Sequence, residues 1–548
     1  MEKEPLRERP YESFELLYTD KKRDLKKLKE ILGIDQALSR APYSLLEYLL
    51  SPKEGESTPA CKSIIVENRY YDKDHSDAFS KFYCKSFRFV KRECIRLHFF
   101  SSRIPVDAIF DLEKKAKYYL GFCVVRPFPS RTIGRTVIAR LRDKPALEFP
   151  TCKGKFSVNI AGSSMTIEGP AFIEQDMLVS ACASASIWMS TTTMANRYNL
   201  CSSSTAQITI NANQQLLFQR AMPSAGLTYE QMMQALDTMN YDPLLIDEPD
   251  RNEMLHSIYT YVESEVPPIL LCNTISGEGH TIVAMGHGYQ FPIDNPKMTE
   301  AKWPEKSSLF FARSSAWVPY YVIHDDQRGI YRKLTPIEPD PELLLSRIQD
   351  NYGDVDISNI RLDKWKCPIA IDLPAVGNNH RQEIANIFGV IVPLPKGVIL
   401  TGKQAESKSA RMIRLWHWLS HTSPPDNLVL RTYLIPSNEY KKRIIESDMD
   451  GFVKAMYRGK PMPKWIWVTE VSSIESYNAP EPKKWLIRGE VIVDATSNQW
   501  VPDFSAFHYI TDTVSVLATM KPGHETAEQA FEGVWHSKRD KPYSGWIR

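Results

Sequence analysis

Three polar side chains in this chain stand where thiol chemistry would need them. Cys182 follows the run Gln175-Asp176-Met-Leu-Val-Ser-Ala and opens a small-residue stretch, Cys182-Ala-Ser-Ala-Ser-Ile-Trp-Met, that reads as a helix. His280 leads an apolar run, Gly279-His280-Thr-Ile-Val-Ala-Met-Gly286, and Asp325 and Asp326 close another, Tyr320-Tyr-Val-Ile-His-Asp325-Asp326-Gln-Arg-Gly329. A thiol with a pKa near ~8.5 is mostly protonated at neutral pH, and a helix N-terminus with a partnered imidazolium converts it to the nucleophilic thiolate. A carboxylate on the second imidazole nitrogen fixes tautomer and orientation. Asp325 is the first choice for that part and Asp326 the second. The Gln175 amide and the Cys182 backbone N–H would form an oxyanion hole, in which one donor is worth about 2.7–4 kcal/mol in the transition state. These residue types predict acyl transfer through a thioester, with Cys182 as nucleophile and His280 as acid and base.

Elements must deliver these groups to one point. The small residues around Cys182 let a helix end approach a sheet, and Ile187, Trp188 and Met189 anchor it in a core. In a regular strand His280 and His287 would face opposite sides, so one of them lines a cleft, and His280 at the open end of its run is the better base. Helices are expected at 182–197, Thr228 to Met239 and Asp250 to Glu263, and strands at Ile269 to Asn273, Thr281 to Gly286 and Tyr320 to His324. Taken singly, Cys182 reads as a small buried residue, His280 as a strand-end histidine and Asp325 as part of a polar corner. Their order along the chain makes the combination more specific than any part.

At these residues the segment resembles the papain-like cysteine peptidases, and more closely the bacterial leader-peptide peptidase domains of bacteriocin exporters and their stand-alone relatives. The matching positions are Gln175, Cys182, Gly226-Leu227-Thr228 through Ala235-Leu236, Gly279-His280, and Ile323-His-Asp325 with Gly329. The resemblance covers residues of the range 170–335 and implies a nucleophile helix packed on an antiparallel sheet, peptidase activity, a peptide or protein substrate and no cofactor or metal. An insertion, Phe291 to Val318, separates His280 from Asp325 and reads as a lid or specificity loop.

The rest of the chain bounds this reading. Its 548 residues suggest several units, and breaker-rich stretches at Ser51–Pro59, Asp143–Pro150 and Leu334–Pro341 mark candidate joints. The expected division is 1–165, an α+β region; 166–340, the papain-like domain; and 341–548, a second α+β region, for an α+β multidomain protein. Helical spacing runs over Leu25 to Leu50, Ala78 to Arg88, Val106 to Lys117, Ala410 to Ser420 and Glu439 to Met456. Nine scattered cysteines without a C-x-x-C motif argue for reduced thiols rather than a disulfide or zinc framework. The charged start and the lack of a long apolar run imply a cytoplasmic protein with no membrane span.

Three other readings compete. A papain-like scaffold without turnover would bind a protein partner through the aromatic-rich flanks. The basic stretch Arg131 to Arg142 could face nucleic acid, although the net charge of +2 gives no such signal and none is expected. His417 and His421 have the four-residue spacing of a metal pair, but no third ligand accompanies them.

Overall fold

The computed structural model describes residues 13–52, 59–85, 89–128, 130–140, 148–150, 152–176, 182–213, 226–248, 250–301, 308–353, 361–374, 381–419, 421–479, 486–497, 505–510, 515–520, 531–537 and 543–544. Helices and strands are mixed along the chain, as the α+β pattern predicts. No helix among the described residues is long and apolar enough to cross a membrane.

The N-terminal sheet runs in the order Phe14–Tyr18, Ser63–Tyr70, Cys94–Phe100, Tyr119–Val125, Ile133–Ile138 and Ala171–Phe172. The last of these strands leads directly toward Gln175 and the Cys182 helix. Among the described residues the central sheet has eight strands. Its path is Tyr241–Ile246, Gln382–Pro395, Ile269–Thr274, Gly279–Gly288, Tyr321–Asp325, Gly329–Pro336 and Pro368–Asp372, with Glu148–Pro150 added beside Gly279–Gly288. Pro368–Asp372 pairs back onto Gln382–Pro395, so the path closes on itself. Closure leaves no free edge within the ring and fixes the register of the strands that end in His280 and Asp325.

A second eight-stranded sheet runs Met298–Ala301, Leu309–Arg313, Leu428–Pro436, Trp465–Ser473, Gly489–Asp494, Ser505–Ile510, Ser515–Met520 and Phe531–Ser537. The helix Arg251–Glu263 packs on both the strand Gly279–Gly288 and the strand Leu428–Pro436. Buried Arg431 joins the two layers, donating from Nε to Glu263 Oε2 at 2.7 Å and from Nη1 to Glu470 Oε2 at 2.8 Å.

Sheet membership crosses the expected joint at 340/341. The strands Pro368–Asp372 and Gln382–Pro395 lie beyond it and belong to the central sheet. The strands Met298–Ala301 and Leu309–Arg313 lie before it and belong to the sheet of the C-terminal region. The described part of the insertion 291–318, which excludes 302–307, is therefore built into that sheet rather than standing as a free lid, with Leu309–Arg313 paired in parallel with Leu428–Pro436. Proline-rich punctuation marks the end of an element, whereas strand partners are chosen by non-local packing.

Local patterning holds best where elements are long and buried. The Cys182 helix spans Cys182–Tyr198, and residues 183–194 are all buried. The stretch 25–50 instead divides into the helices Lys22–Ile31 and Ala41–Leu50, the second opening with Pro42, a residue suited to a helix start. Val106 to Lys117 forms two 3₁₀ segments, Val106–Phe110 and Leu112–Tyr118. The expected helix Glu439 to Met456 is two, Ser437–Glu446 and Gly451–Gly459, with Asp450 capping the second through Phe452 N.

Candidate functional site

The Cys182 helix is stitched to its surroundings by hydroxyls rather than by an apolar face alone. Ser186 Oγ donates to Thr281 O at 3.1 Å, Ser190 Oγ donates to Pro267 O at 2.6 Å, and Ser184 Oγ stands 3.0 Å from Thr209 Oγ1. Trp188 Nε1 donates to Asp74 Oδ1 at 3.2 Å from the opposite layer. Small side chains permit this close approach, and these three hydroxyls each meet a partner, whereas Thr192 Oγ1 farther along the helix is buried without one. Thr281 follows His280 in sequence, so the Ser186 contact sets the helix against the strand beside the imidazole.

The Cys182 thiol lies close enough to His280 to favour its protonated form, and His280 Nε2 stands 3.2 Å from Asp325 Oδ2. With Nε2 directed at the carboxylate, Nδ1 is the nitrogen left for the thiol. His280 is buried, and burial alone would lower its pKa; the attraction of Asp325 and the hydrogen bonds to Asp325 and Cys182 overcome this and push it up to about 10. The ring is accordingly an imidazolium at neutral pH, the state that favours a neighbouring thiolate.

Asp325 is fully buried and fully engaged. Its Oδ1 accepts from the backbone N–H groups of Gln327 at 2.9 Å and Arg328 at 3.0 Å, while Oδ2 accepts from Arg328 Nη1 at 2.7 Å. Against the burial penalty, Arg328 and His280 hold its pKa well below the usual carboxylate range. Arg328 is itself clamped by Glu383, which accepts from Nε at 2.8 Å and from Nη2. The carboxylate thus sits in a turn whose backbone, cation and counter-carboxylate fix its direction before any substrate arrives.

Asp326 stands apart. His280 Nε2 is 3.8 Å from its Oδ1, and neither carboxylate oxygen has a hydrogen-bond partner although the residue is fully buried. Burial, opposed by His280 and reinforced by the charge of Asp325, pushes its pKa up to about 7. Ligand-type atoms of His280, Asp325 and Asp326 lie within 4.8 Å of one another, a spacing that would suit a metal ion. The nearest cation is already present, because Arg328 occupies Asp325 Oδ2. Three carboxylates, Asp325, Asp326 and Glu383, face two cations, His280 and Arg328, and a proton on Asp326 removes the excess negative charge.

Gln175 is buried between two anchored neighbours. Glu174 accepts at Oε2 from Ile133 N at 2.9 Å, its carbonyl accepts from Arg126 Nη2 at 2.8 Å, and Ser39 Oγ donates to Oε1. Asp176 accepts from Tyr83. Residues 177–181, which complete the predicted approach to Cys182, lie outside the described residues. The structure therefore brings Cys182, His280 and Asp325 together, places Asp326 against the same imidazole, and holds Gln175 in the segment entering the helix.

Other sequence candidates fall elsewhere. His287 takes no part in this site: Nε2 stands 2.7 Å from Glu263 Oε1, and the strand carries a bulge between Ala284 and Gly286 that breaks simple alternation. His417 is buried, with Nδ1 2.8 Å from Thr422 Oγ1, whereas His421 lies past the helix with φ of 52°, so the two do not act as a helical pair. Arg131 is 3.5 Å from Glu174 and Arg135 is bound to Asp74, so this part of the basic stretch is spent internally; Arg142 lies outside the described residues.

The residues that the sequence pattern did not single out are the supporting ones: Arg328, Glu383, Glu174 and Ser39. Arg328 lies inside the quoted motif and offered a signal, but Glu383 comes from a strand beyond the expected domain end. Compared with known proteins, the chain matches no family model, no curated protein and no solved structure.

Proposed function

We propose that the chain is a cysteine hydrolase with a papain-like arrangement, most simply a peptidase acting on a peptide or isopeptide bond. The observation that carries this reading is a single buried imidazole shared between the thiol at a helix start and a fixed carboxylate. In the proposed cycle Cys182 Sγ adds to the amide carbonyl carbon. Gln175 and the Cys182 N–H hold the oxyanion, and His280 gives its proton to the leaving amine as the C–N bond breaks. Water then adds to the thioester, passing a proton to His280, and the C–S bond breaks to restore the thiol. Asp325 keeps Nε2–H in place throughout and stabilises the imidazolium. A reducing, cytoplasmic setting is part of the proposal, supported by nine cysteines that are all unpaired.

Alkylation by iodoacetamide at about pH 6, mapped by mass spectrometry, tests the dyad. Cys84 and Cys201 are exposed and report the rate of an unactivated accessible thiol in the same molecule. Burial pushes the thiols of Cys61, Cys94, Cys123 and Cys367 up to about 12, so these stay silent in the folded protein. Fast labelling confined to Cys182 and lost in His280→Ala is expected. Labelling of Cys182 no faster than Cys84 and Cys201 would leave a binding scaffold without turnover.

A further inference from the structure

Four histidines among those described stand against carboxylates, and their opposite nitrogens separate them into two kinds. His98 has Glu67 on Nε2 and the buried Tyr119 hydroxyl 3.0 Å from Nδ1, and His287 has Glu263 on Nε2 and the Gly288 carbonyl 2.9 Å from Nδ1. Both relays end inside the core, on groups with no space to react. His280 ends on Cys182. The fourth, His256, has Nε2 2.9 Å from Glu406 Oε2 and Nδ1 2.9 Å from Ser315 Oγ.

We propose that Ser315, His256 and Glu406 form a second nucleophilic site, independent of Cys182, that hydrolyses small esters bearing a negative charge. Each member comes from a different element: His256 from the middle of the helix Arg251–Glu263, Glu406 from the helix Gly402–Leu419, and Ser315 from the 3₁₀ turn Ser314–Trp317. His256 and Glu406 are buried, whereas Ser315 is half-buried and lines a cavity of about 310 Å³, a size for a small ligand. Glu406 is held in place by Arg313, whose Nε donates to Oε1 at 2.8 Å, while Oε2 makes no aligned hydrogen bond and stands at ion-pair distance, 2.9 Å, from His256 Nε2. Despite burial, His256 and Arg313 hold the Glu406 pKa down at about 2, so it remains a carboxylate at working pH. With Nε2 placed against the Glu406 carboxylate, Nδ1 is the ring nitrogen that faces the serine hydroxyl and would accept its proton.

On the cavity wall Arg251 is paired with Glu338 and Arg313 with Glu253 and Glu406, which leaves the cation of Lys297 to favour an anionic substrate. Asn252 and Lys297 line the same cavity and would supply the N–H donors that a developing oxyanion needs. In the reaction Ser315 Oγ bonds to the ester carbonyl carbon while its proton moves to His256 Nδ1. The C–O bond then breaks and the alcohol leaves with that proton. Water adds to the acyl-serine, its proton passing through His256 back to Ser315 Oγ, and the carboxylic acid is released. Ester and water are the only reactants that the balance requires.

The test uses the full chain with Cys182→Ala, so that thiol chemistry contributes nothing, and a fluorophosphonate probe at pH 8 with peptide mapping. Phosphonylation of Ser315 is expected, slowed at least about 100-fold in His256→Ala, the usual scale of a lost general base. The half-ester p-nitrophenyl succinate should be turned over faster than p-nitrophenyl acetate. Because His256→Ala removes a buried side chain and can unfold, Ser315→Cys in the same background supplies a second measurement with the relay intact: that thiol should alkylate at pH 6 faster than Cys84 and Cys201. Absence of label on Ser315 in protein with an unchanged melting midpoint, or a Ser315→Cys thiol no faster than the two exposed cysteines, overturns the proposal. Neither result bears on Cys182.

Discussion

Asp326 is a buried carboxyl with no hydrogen-bond partner, and such a group costs stability unless it is neutral. Its folded pKa of about 7 lies above the roughly 3.9 of an exposed aspartate, so the folded state binds a proton that the unfolded chain has released over that interval. Stability therefore falls as pH rises from about 4 to about 7 and stays reduced above it. Asp326→Asn removes the cost while keeping the shape. Its stability at pH 8 should exceed that of the wild type by about 4 kcal/mol, roughly three pKa units at about 1.36 kcal/mol each, so its melting midpoint should be higher there and converge with the wild type toward pH 4. Cys182 alkylation should persist in this variant, because Asp325 rather than Asp326 lies at hydrogen-bond distance from His280 Nε2. Thermal scans at the two pH values decide the point, and an unchanged or lower midpoint at pH 8 would mean that Asp326 is ionised and stabilised in the fold.

At the scale of elements, the site depends on a turn held from outside its own sheet. Arg40 N donates to Gln327 O at 2.7 Å and Ser44 Oγ donates to Ile330 O at 3.2 Å, so the helix Ala41–Leu50 clasps the corner that carries Asp325. Gly329 makes this possible: its φ is +105°, and a Cβ there would lie 2.2 Å from Ser44 Cβ. Gly329→Ala meets both backbone strain and a collision, and should lower stability by about 1–3 kcal/mol while cutting Cys182 alkylation at pH 6, as the Asp325 turn moves off His280. Equal alkylation rates in variant and wild type would show that the corner does not position the triad. The His280 and Asp325 ends were legible in the sequence because His280 leads an apolar run, Asp325 closes another and each stands near glycine, which is local information. Glu383, Ser39 and Glu174 were not, because what places them is pairing between strands and helices distant in sequence. The helix expected over 439–456 failed for a local reason, an Asp450 cap that reads as an ordinary polar residue until the break at Ser447–Asp450 is seen.

At the scale of the whole molecule, the central sheet cannot be separated from the chain beyond residue 340. Gln382–Pro395 pairs with Tyr241–Ile246 and Ile269–Thr274, and also receives Pro368–Asp372, so it closes the ring that carries His280 and Asp325. Removing it would expose the edge of Ile269–Thr274 together with an apolar core that includes Leu270, Ile282 and Val283, all buried. Ending the chain at residue 340 would also delete Glu383, the clamp on Arg328, and, from the strand Leu428–Pro436, Arg431, which neutralises Glu263 beneath the central layer. Losing one partner of a buried ion pair alone costs about 3–5 kcal/mol, comparable with much of the stability of a typical domain. A chain ending at residue 340 should therefore fail to fold, even though it contains Gln175, Cys182, His280, Asp325 and every residue of the peptidase-like motif. Circular dichroism and a cooperative melt on the 1–340 chain make the comparison, with the full chain as reference. A cooperative transition accompanied by rapid alkylation of Cys182 would show that the motif-bearing segment is a unit by itself, and that the closing strand is an addition to it rather than part of its frame.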